Sequence, residues 1–111
     1  MNIAIKATNL DLTPSIKEYV EEKVGALDKF ISVLEGKVEL ERDRHHHSGE
    51  VFRAEIMLVM SGKLMRADAE AEDIYAAVDL VIPKLKEQIS KFKDKKTTLF
   101  RRGGRTAKKK I

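Results

Sequence analysis

Four segments of the chain alternate between apolar and polar residues with a period of two, which is the pattern of a half-buried strand. They cover residues 2–8, 37–44, 50–61 and 64–71. The last two are separated only by Ser-Gly-Lys at residues 61–63, a tight-turn sequence, so we expect these two strands to pair antiparallel. The inward positions of the last strand are mostly alanine, which leaves room for a helix to pack closely.

A helical repeat of apolar residues begins after Thr13 and Pro14. Threonine accepts a hydrogen bond from the first helical turn, and the fixed φ of proline suits the first helical position. The apolar residues then recur three or four positions apart, at Ile16, Val20, Val24, Leu27, Phe30, Ile31 and Leu34. This spacing predicts a helix over about 14–33, with Gly36 as its C-terminal cap.

A second helix is predicted from residue 74 to about residue 94, with Asp73 as its N-cap. Its apolar stripe consists of Ile74, Val78, Val81, Leu85, Ile89 and Phe92. Pro83 falls inside this repeat, on the side opposite the stripe, and we expect it to bend the helix. A break at Pro83 is the competing interpretation, but the stripe continues in phase past the proline.

The resulting order, β-α-β-β-β-α, predicts a two-layer α+β sandwich. We expect a mostly antiparallel four-stranded sheet, with the first strand at an edge and both helices on one face. Double-stranded-RNA-binding domains, which read RNA shape and phosphates, have a similar layout. The folded domain is expected to occupy residues 1–96. Residues 97–111 contain two glycines and little apolar surface, and are expected to form a flexible basic tail or the start of a linker.

The composition excludes several classes of protein. The 111 residues are 42% hydrophobic and 36% charged, as in a single globular domain. There is no cysteine, and therefore no disulfide, thiol nucleophile or cysteine-ligated metal centre. No apolar run approaches the ~20 residues of a membrane span, and the first residues do not have the pattern of a signal peptide. We therefore expect a cytoplasmic protein with no membrane partner.

Acidic and basic residues are distributed unevenly along the chain, although the net charge is only +4. Residues 1–83 hold ten Lys/Arg and sixteen Asp/Glu, a net charge of −6, whereas residues 84–111 hold twelve and two, a net charge of +10. A basic segment of this density is typical of proteins that bind a polyanion. A solvated tail without a partner is the alternative.

The basic residues of the second helix form two flanks beside its apolar stripe. One flank holds Lys84, Gln88, Lys91 and Lys95, and the other holds Lys86 and Lys93. The first row has the spacing to follow a phosphate backbone, although lysines also complement the dipole at a helix C-terminus. Aromatic residues make up only 5% of the chain, so base stacking is poorly supplied and structured RNA is favoured as the ligand.

Nothing in the sequence indicates catalysis. The run His45–His47 is the obvious candidate for a metal site, but consecutive side chains diverge, and we expect a loop without a functional metal. Carboxylate pairs such as Glu21-Glu22 fall on predicted solvent faces, and no phosphate-binding loop is present. We expect no enzyme activity, cofactor or small-molecule substrate.

Five short segments, taken together, indicate a protein family more specifically than any one of them does alone. They are TPSI at 13–16, ALDKF at 26–30, SGEVFRAE at 48–55, EDIYAAVD at 72–79, and KLKEQI at 84–89 followed by Lys91. In order and spacing they resemble the ribosome hibernation-promoting factor and ribosome-associated inhibitor family, once called sigma-54 modulation proteins. The resemblance covers residues 1 to about 96.

This resemblance implies a cytoplasmic protein that binds the small ribosomal subunit between head and body. There it would occupy the path of messenger RNA and of the A- and P-site tRNAs, and block translation in stress or stationary phase. Basic residues of the helices would contact ribosomal RNA. By position these are Lys23 and Lys29 on the first helix and Lys84, Gln88, Lys91 and Lys95 on the second, with Lys86, Arg101 and Arg102 as weaker additions. Lys23 also lies within an apolar stripe, where its stem can pack instead.

Two other functions stay open at this point. One is a general structured-RNA-binding module without ribosome specificity, and the other is an interaction module for a sigma factor, as the older family name suggests. The family occurs in short forms and in long forms that add a linker and a C-terminal domain, and residues 97–111 fit either form. The free chain is expected to be monomeric.

Overall fold

The computed structural model describes the backbone of residues 1–43 and 51–110, and the side chains of residues 1–43 and 51–94. Its elements are strand β1 (Asn2–Thr8), helix α1 (Pro14–Gly25), a 3-10 turn (Ala26–Lys29), strands β2 (Glu35–Asp43), β3 (Val51–Met60) and β4 (Lys63–Ala71), and helix α2 (Ile74–Lys110). Each predicted strand and helix is therefore present.

The sheet has the order β1-β2-β3-β4. β1 is parallel to β2, because α1 carries the chain back between them, whereas the two later pairs are antiparallel. The turn between β3 and β4 contains Gly62 at φ +72°, a left-handed conformation that favours glycine. The predicted α+β fold, with β1 at an edge of a mostly antiparallel sheet, is confirmed.

The core lies between the sheet and the two helices, which share one face of the sheet. Its largest fully buried side chains include Leu27, Leu40, Ile56, Leu58 and Leu85. β4 contributes the buried residues Ala67 and Ala69. Because these side chains are small, α2 can pack closely on β4, as the sequence predicted.

The first helix is shorter than predicted. α1 ends at Gly25 and continues as a 3-10 turn, so the expected helix over 14–33 is wrong in its last part. The cause is Asp28, whose carboxylate accepts a hydrogen bond from the Val33 amide at 3.2 Å and lies 2.8 Å from the Met1 ammonium group. The ammonium group lowers the pKa of Asp28. These bonds turn the chain towards β2 before another helical turn can form.

Gly36 does not cap the first helix, contrary to the prediction. It is buried in β2, where a Cβ atom would lie 3.0 Å from Met1 Sδ and 3.3 Å from Val24 Cγ1. Contacts of 3.0–3.4 Å are tighter than nine in ten real Cβ contacts, so Met1 or Val24 would have to shift by a few tenths of an ångström. The close approach of α1 and the N-terminus to the sheet therefore favours glycine at this position.

The start of α2 agrees with the prediction. The Asp73 carboxylate accepts a hydrogen bond from the Ala76 amide at 2.8 Å, as an N-cap should. The apolar stripe is buried from Ile74 to Ile89, and Phe92 is half-buried. Pro83 is exposed inside an unbroken helix, so the continuous helix is confirmed over a break.

The far end of α2 differs from the prediction. The helix continues to Lys110 rather than ending near residue 94. Beyond Phe92 the chain holds nine Lys or Arg residues, whose intrinsic propensity favours helix. The mobility expected for residues 97–111 stays a prediction. The histidine run, at residues 45–47, lies outside the described residues.

Candidate nucleic-acid interface

The polar side chains of α2 emerge on both sides of its buried stripe and meet different neighbours. Lys84, Gln88 and Lys91 lie on the side of β4, and we call them the β4 flank. Lys86 and Lys93 lie on the side of the segment that follows α1, and we call them the Phe30 flank. The two flanks predicted from helical spacing are therefore separate surfaces.

Two members of the β4 flank bind the sheet itself. Lys84 Nζ donates a hydrogen bond to the Asp68 carbonyl at 2.8 Å, and Gln88 Nε2 donates one to the Arg66 carbonyl at 2.9 Å. In the described part of the chain β4 is an edge strand, so its outer carbonyl groups have no partner strand there. These bonds cover the strand edge and hold two head groups in a row. The ammonium group of Lys84 keeps two further N–H groups for another acceptor.

Lys91 extends this row, and its head group is less constrained than that of Lys84. Its side chain is 75% exposed and lies 3.0 Å from Glu87, one helical turn earlier. An exposed i,i+4 pair of this kind is worth only about 0.3–0.5 kcal/mol. A phosphate can therefore replace Glu87 at little cost.

Lys63 joins the β4 flank although sequence reasoning missed it. Its Nζ lies 5.5 Å from the centroid of the Phe92 ring, and it borders a shallow cavity of about 260 Å³ together with Gln88 and Lys91. Helical spacing gave no signal for this residue, because Lys63 is the first residue of β4, directly after the β3–β4 turn. Only the pairing of β3 with β4 brings that turn to α2.

The Phe30 flank surrounds an exposed aromatic ring. Lys86 Nζ lies 5.5 Å from the centroid of the Phe30 ring, and Lys93 Nζ donates a hydrogen bond to the Phe30 carbonyl at 2.9 Å. The two lysines and the ring border a cavity of about 350 Å³. The sequence placed Lys93 on this flank of the helix but did not include it among the candidate binding residues.

The candidates on the first helix lie in different surroundings. Lys23 is half-buried, with Nζ 5.5 Å from the Tyr19 ring centroid, which agrees with a packed lysine stem. Tyr19 joins the helices, because its hydroxyl donates a hydrogen bond to Asp79 and its ring packs edge-on against Tyr75 at 5.0 Å. The bond to Asp79 raises the pKa of Tyr19 to about 12. Lys29 is exposed on the 3-10 turn.

Three candidate cations lie beyond the described side chains. These are Lys95, Arg101 and Arg102. Their backbone belongs to α2, so Lys95 continues the helical row that contains Lys84 and Lys91.

The exposed face of the sheet is acidic. The strand register places Glu39 opposite Glu55, and Glu55 opposite Asp68, so three carboxylates form a row across β2, β3 and β4. Arg53 offsets part of this charge, because its guanidinium lies 3.0 Å from Asp68 and 3.5 Å from Glu55; Asp68 raises the pKa of Arg53. A face of this charge repels a polyanion.

The described residues do not form other obvious chemical sites. Within 1–43 and 51–94, no group of three His, Asp or Glu side chains is placed to hold a metal ion. No helix in the described part of the chain is long and apolar enough to cross a bilayer. The main chemical features of the described surface are the lysine rows of α2 and the acidic exposed face of the sheet.

The comparison with known proteins gives a family match over nearly the whole fold. The family model described as sigma 54 modulation protein / S30EA ribosomal protein matches residues 3–97. The chain is 30% identical over 105 residues to the ribosome hibernation promotion factor of Bacillus subtilis, covering 94% of this chain and 54% of that protein. It is 29% identical over 89 residues to the Staphylococcus aureus protein of the same name, covering 80% and 46%. The chain spans about half the length of these relatives.

Solved structures share the fold. The N-terminal domain of Protein Y from Thermus thermophilus matches with a TM-score of 0.69 and 34% identity, over 83% of this chain and 99% of that one. A ribosomal subunit interface protein from Coxiella burnetii matches with a TM-score of 0.73, over 85% and 99%; at 23% identity this likeness concerns the fold. Since the family match runs from β1 into α2, the chain belongs to the family of sigma 54 modulation proteins and S30EA ribosomal proteins.

Proposed function

We propose that this chain is a ribosome hibernation factor, which binds the small ribosomal subunit in the mRNA and tRNA channel and inhibits translation under stress or in stationary phase. Two of the relatives above are named ribosome hibernation promotion factors. The matched region contains the whole two-layer fold, so the proposed binding surface belongs to the shared part.

The observation that carries this proposal is the row of the β4 flank. Lys84, Gln88 and Lys91 project from one rigid helix, and Lys84 and Gln88 are held in place by carbonyl groups of β4. Lys84, whose head group is already held in place, can neutralise a phosphate with little further loss of conformational freedom, and Lys91 supplies a second charge in the same row. Such contacts set the position of the protein on RNA rather than read its sequence.

The remaining candidates have secondary roles in the proposal. Lys95 extends the β4 flank along α2, while Lys86 belongs to the Phe30 flank. Lys23 and Lys29 add positive charge beside the first helix. Arg101 and Arg102 lie in the basic segment 97–111, which attracts RNA without setting the binding position. The folded unit 1–96 thus carries specificity, and the following segment adds affinity.

In this proposal the protein inhibits translation by occupying the channel, not by catalysing a reaction. A domain bound to phosphates of the decoding channel excludes tRNA by volume, so the protein needs no catalytic group. The acidic row of Glu39, Glu55 and Asp68 lies on the opposite face from the helices. It disfavours binding in the reverse orientation, because it would face RNA phosphates.

Competition on purified small subunits tests the proposal. Labelled initiator tRNA and mRNA are bound to the subunits, and the protein is added at increasing concentration. We expect release of the tRNA in step with binding of the protein, and reduced binding of the protein when tRNA is in excess. Binding to the subunits without competition contradicts the channel position and favours a general structured-RNA-binding module. Failure to sediment with subunits at low salt contradicts a ribosomal function.

A further inference from the structure

Phe30 is an aromatic residue on the surface with no place in the hydrophobic core. Its side chain is 43% exposed, and it follows the 3-10 turn at the end of α1. Its backbone is fixed, because the Phe30 amide donates to the Leu27 carbonyl at 3.0 Å and the Phe30 carbonyl accepts from Lys93 at 2.9 Å. The backbone that carries the ring is thus held in place at a surface where water contacts the ring.

The cavity beside this ring is cationic and has the size of a small-ligand site. Its volume is about 350 Å³, within the range of roughly 300–1,000 Å³ that such sites occupy. The ring of Phe30 and the side chain of Ile89 form apolar parts of its wall, and Lys86 and Lys93 supply two ammonium groups. Asp94 is the carboxylate in this lining, so the charged groups sum to +1.

We propose that this cavity binds one unpaired nucleotide of RNA, with its base stacked on Phe30 and its phosphate bound by Lys86 and Lys93. A ring with an accessible face stacks on any base, whereas a base inside a duplex already has stacked neighbours. The two lysines lie close enough to the ring for one nucleotide to span both features. The ligand class is therefore a single-stranded or flipped-out nucleotide rather than a duplex backbone.

Lys86 has two positions in this scheme. In the free protein its ammonium group lies over the Phe30 ring, 5.5 Å from the ring centroid, in a weak cation–π contact. When a base stacks on that face, the long lysine side chain moves its charge to the adjacent phosphate. The aromatic face is thus covered by a mobile cation in the free protein and becomes available when RNA binds.

This inference deepens the proposed function, because it names the RNA feature that the helix surface recognises. The first probe is a short oligouridine strand that contains one 2-aminopurine, a base whose fluorescence falls when it stacks. The second probe is the same strand with an abasic site in place of the 2-aminopurine. The unaltered protein is expected to quench the fluorescence and to bind the 2-aminopurine strand more tightly. Phe30→Leu should weaken that binding about five-fold or more and abolish the quenching. Phe30→Trp should preserve both.

Controls separate stacking from folding and from charge. Phe30→Leu should bind the abasic strand as the unaltered protein does and keep its circular dichroism. Leu12→Ala, at a residue that is 37% exposed before α1, removes surface apolar area elsewhere and should change nothing. Equal binding of the 2-aminopurine strand by Phe30→Leu and the unaltered protein overturns the inference. An unaltered protein that neither quenches nor prefers the 2-aminopurine strand also overturns it.

Sedimentation with small subunits distinguishes this inference from the proposed function. If the unaltered protein sediments with subunits but does not stack the probe base, the nucleotide site is wrong and the proposed function stands. If it stacks the base but does not sediment, the site stands and the ribosomal assignment fails.

Discussion

At the residue scale, two glycines of this chain differ in the space around them. Gly36→Ala is expected to lower the free energy of unfolding by about 1–3 kcal/mol, because the new methyl group overpacks the contact of β2 with Met1 and Val24. Gly25→Ala is the matched control. Its Cβ atom meets only Ile3, at 3.9 Å, and alanine favours the helix end, so stability should rise by up to about 1 kcal/mol. Urea unfolding checks both, and effects of the same sign would contradict the packing argument.

Tyr19 makes the contact between α1 and α2 dependent on pH. The hydrogen bond to Asp79 raises the pKa of Tyr19 from 10.0 to about 12, so the folded state holds this proton more tightly than the unfolded state. The stabilisation is complete below pH 10 and is lost as the pH rises through about 12. Urea unfolding between these pH values should show a decline in the free energy of unfolding, and this decline should be absent in Tyr19→Phe. Phenolate absorbance of Asp79→Asn should show the Tyr19 pKa moving back towards 10. A decline that persists in Tyr19→Phe would assign the effect to another group.

At the element scale, α2 is expected to determine binding through its β4 flank. Replacing Lys84, Lys91 and Lys95 together by glutamate should abolish sedimentation with small subunits and leave the circular dichroism unchanged. Single replacements should reduce the slope of log affinity against log salt by about 0.9 for each duplex phosphate that the variant no longer neutralises.

The double replacement of Lys84 and Lys91 by glutamate, which changes the charge by −4, has a matched control in Lys6 and Lys37. Both are exposed on the sheet, in β1 and β2, and their replacement by glutamate is a comparable reversal on the other face. Subunit binding should be retained in this control. Normal sedimentation of the α2 variant would rule out the β4 flank as the binding surface.

The basic segment after Lys96 is expected to act separately from the folded unit. It carries six Lys/Arg and no acidic residue over 97–111. Truncation after Lys96 should leave the melting temperature nearly unchanged, weaken subunit binding modestly and flatten its salt dependence. The tRNA that is displaced should stay the same, because the helices determine placement. An unchanged salt slope would instead make the segment a linker without RNA contacts.

At the scale of the whole molecule, the acidic face of the sheet and the basic part of the chain from residue 84 onward form an electric dipole. The single variants Glu39→Gln and Glu41→Gln test the effect of this charge separation, because each removes one negative charge from the sheet. Glu39 faces Glu55, so its neutralisation should stabilise the fold by about 0.2–1 kcal/mol, whereas Glu41 faces Arg53 and its neutralisation should not. Both should raise non-specific duplex RNA binding equally at low salt, and the difference from the unaltered protein should fade at high salt. Unequal effects on RNA binding would show a local contact rather than a long-range field.

The amphipathic pattern was sufficient to predict the elements and the layer arrangement. Strand alternation and helical spacing are local properties of sequence, and so are caps such as Asp73, which acts within its own first turn. The positions of Lys84, Gln88 and Lys91 on one side of α2 follow from helical geometry alone. The charge difference between residues 1–83 and 84–111 is likewise visible without a structure.

Contacts between distant parts of the chain were decided only by the tertiary structure. α1 stops where Asp28 reaches Met1 and Val33, and glycine is favoured at position 36 because Met1 and Val24 approach it closely. Lys63 joins α2 through the pairing of β3 with β4, and Lys86 and Lys93 meet at Phe30 because the helices pack side by side. A periodic sequence specifies which side of an element faces the core. The neighbours of each exposed head group depend on packing between elements, which local spacing does not encode.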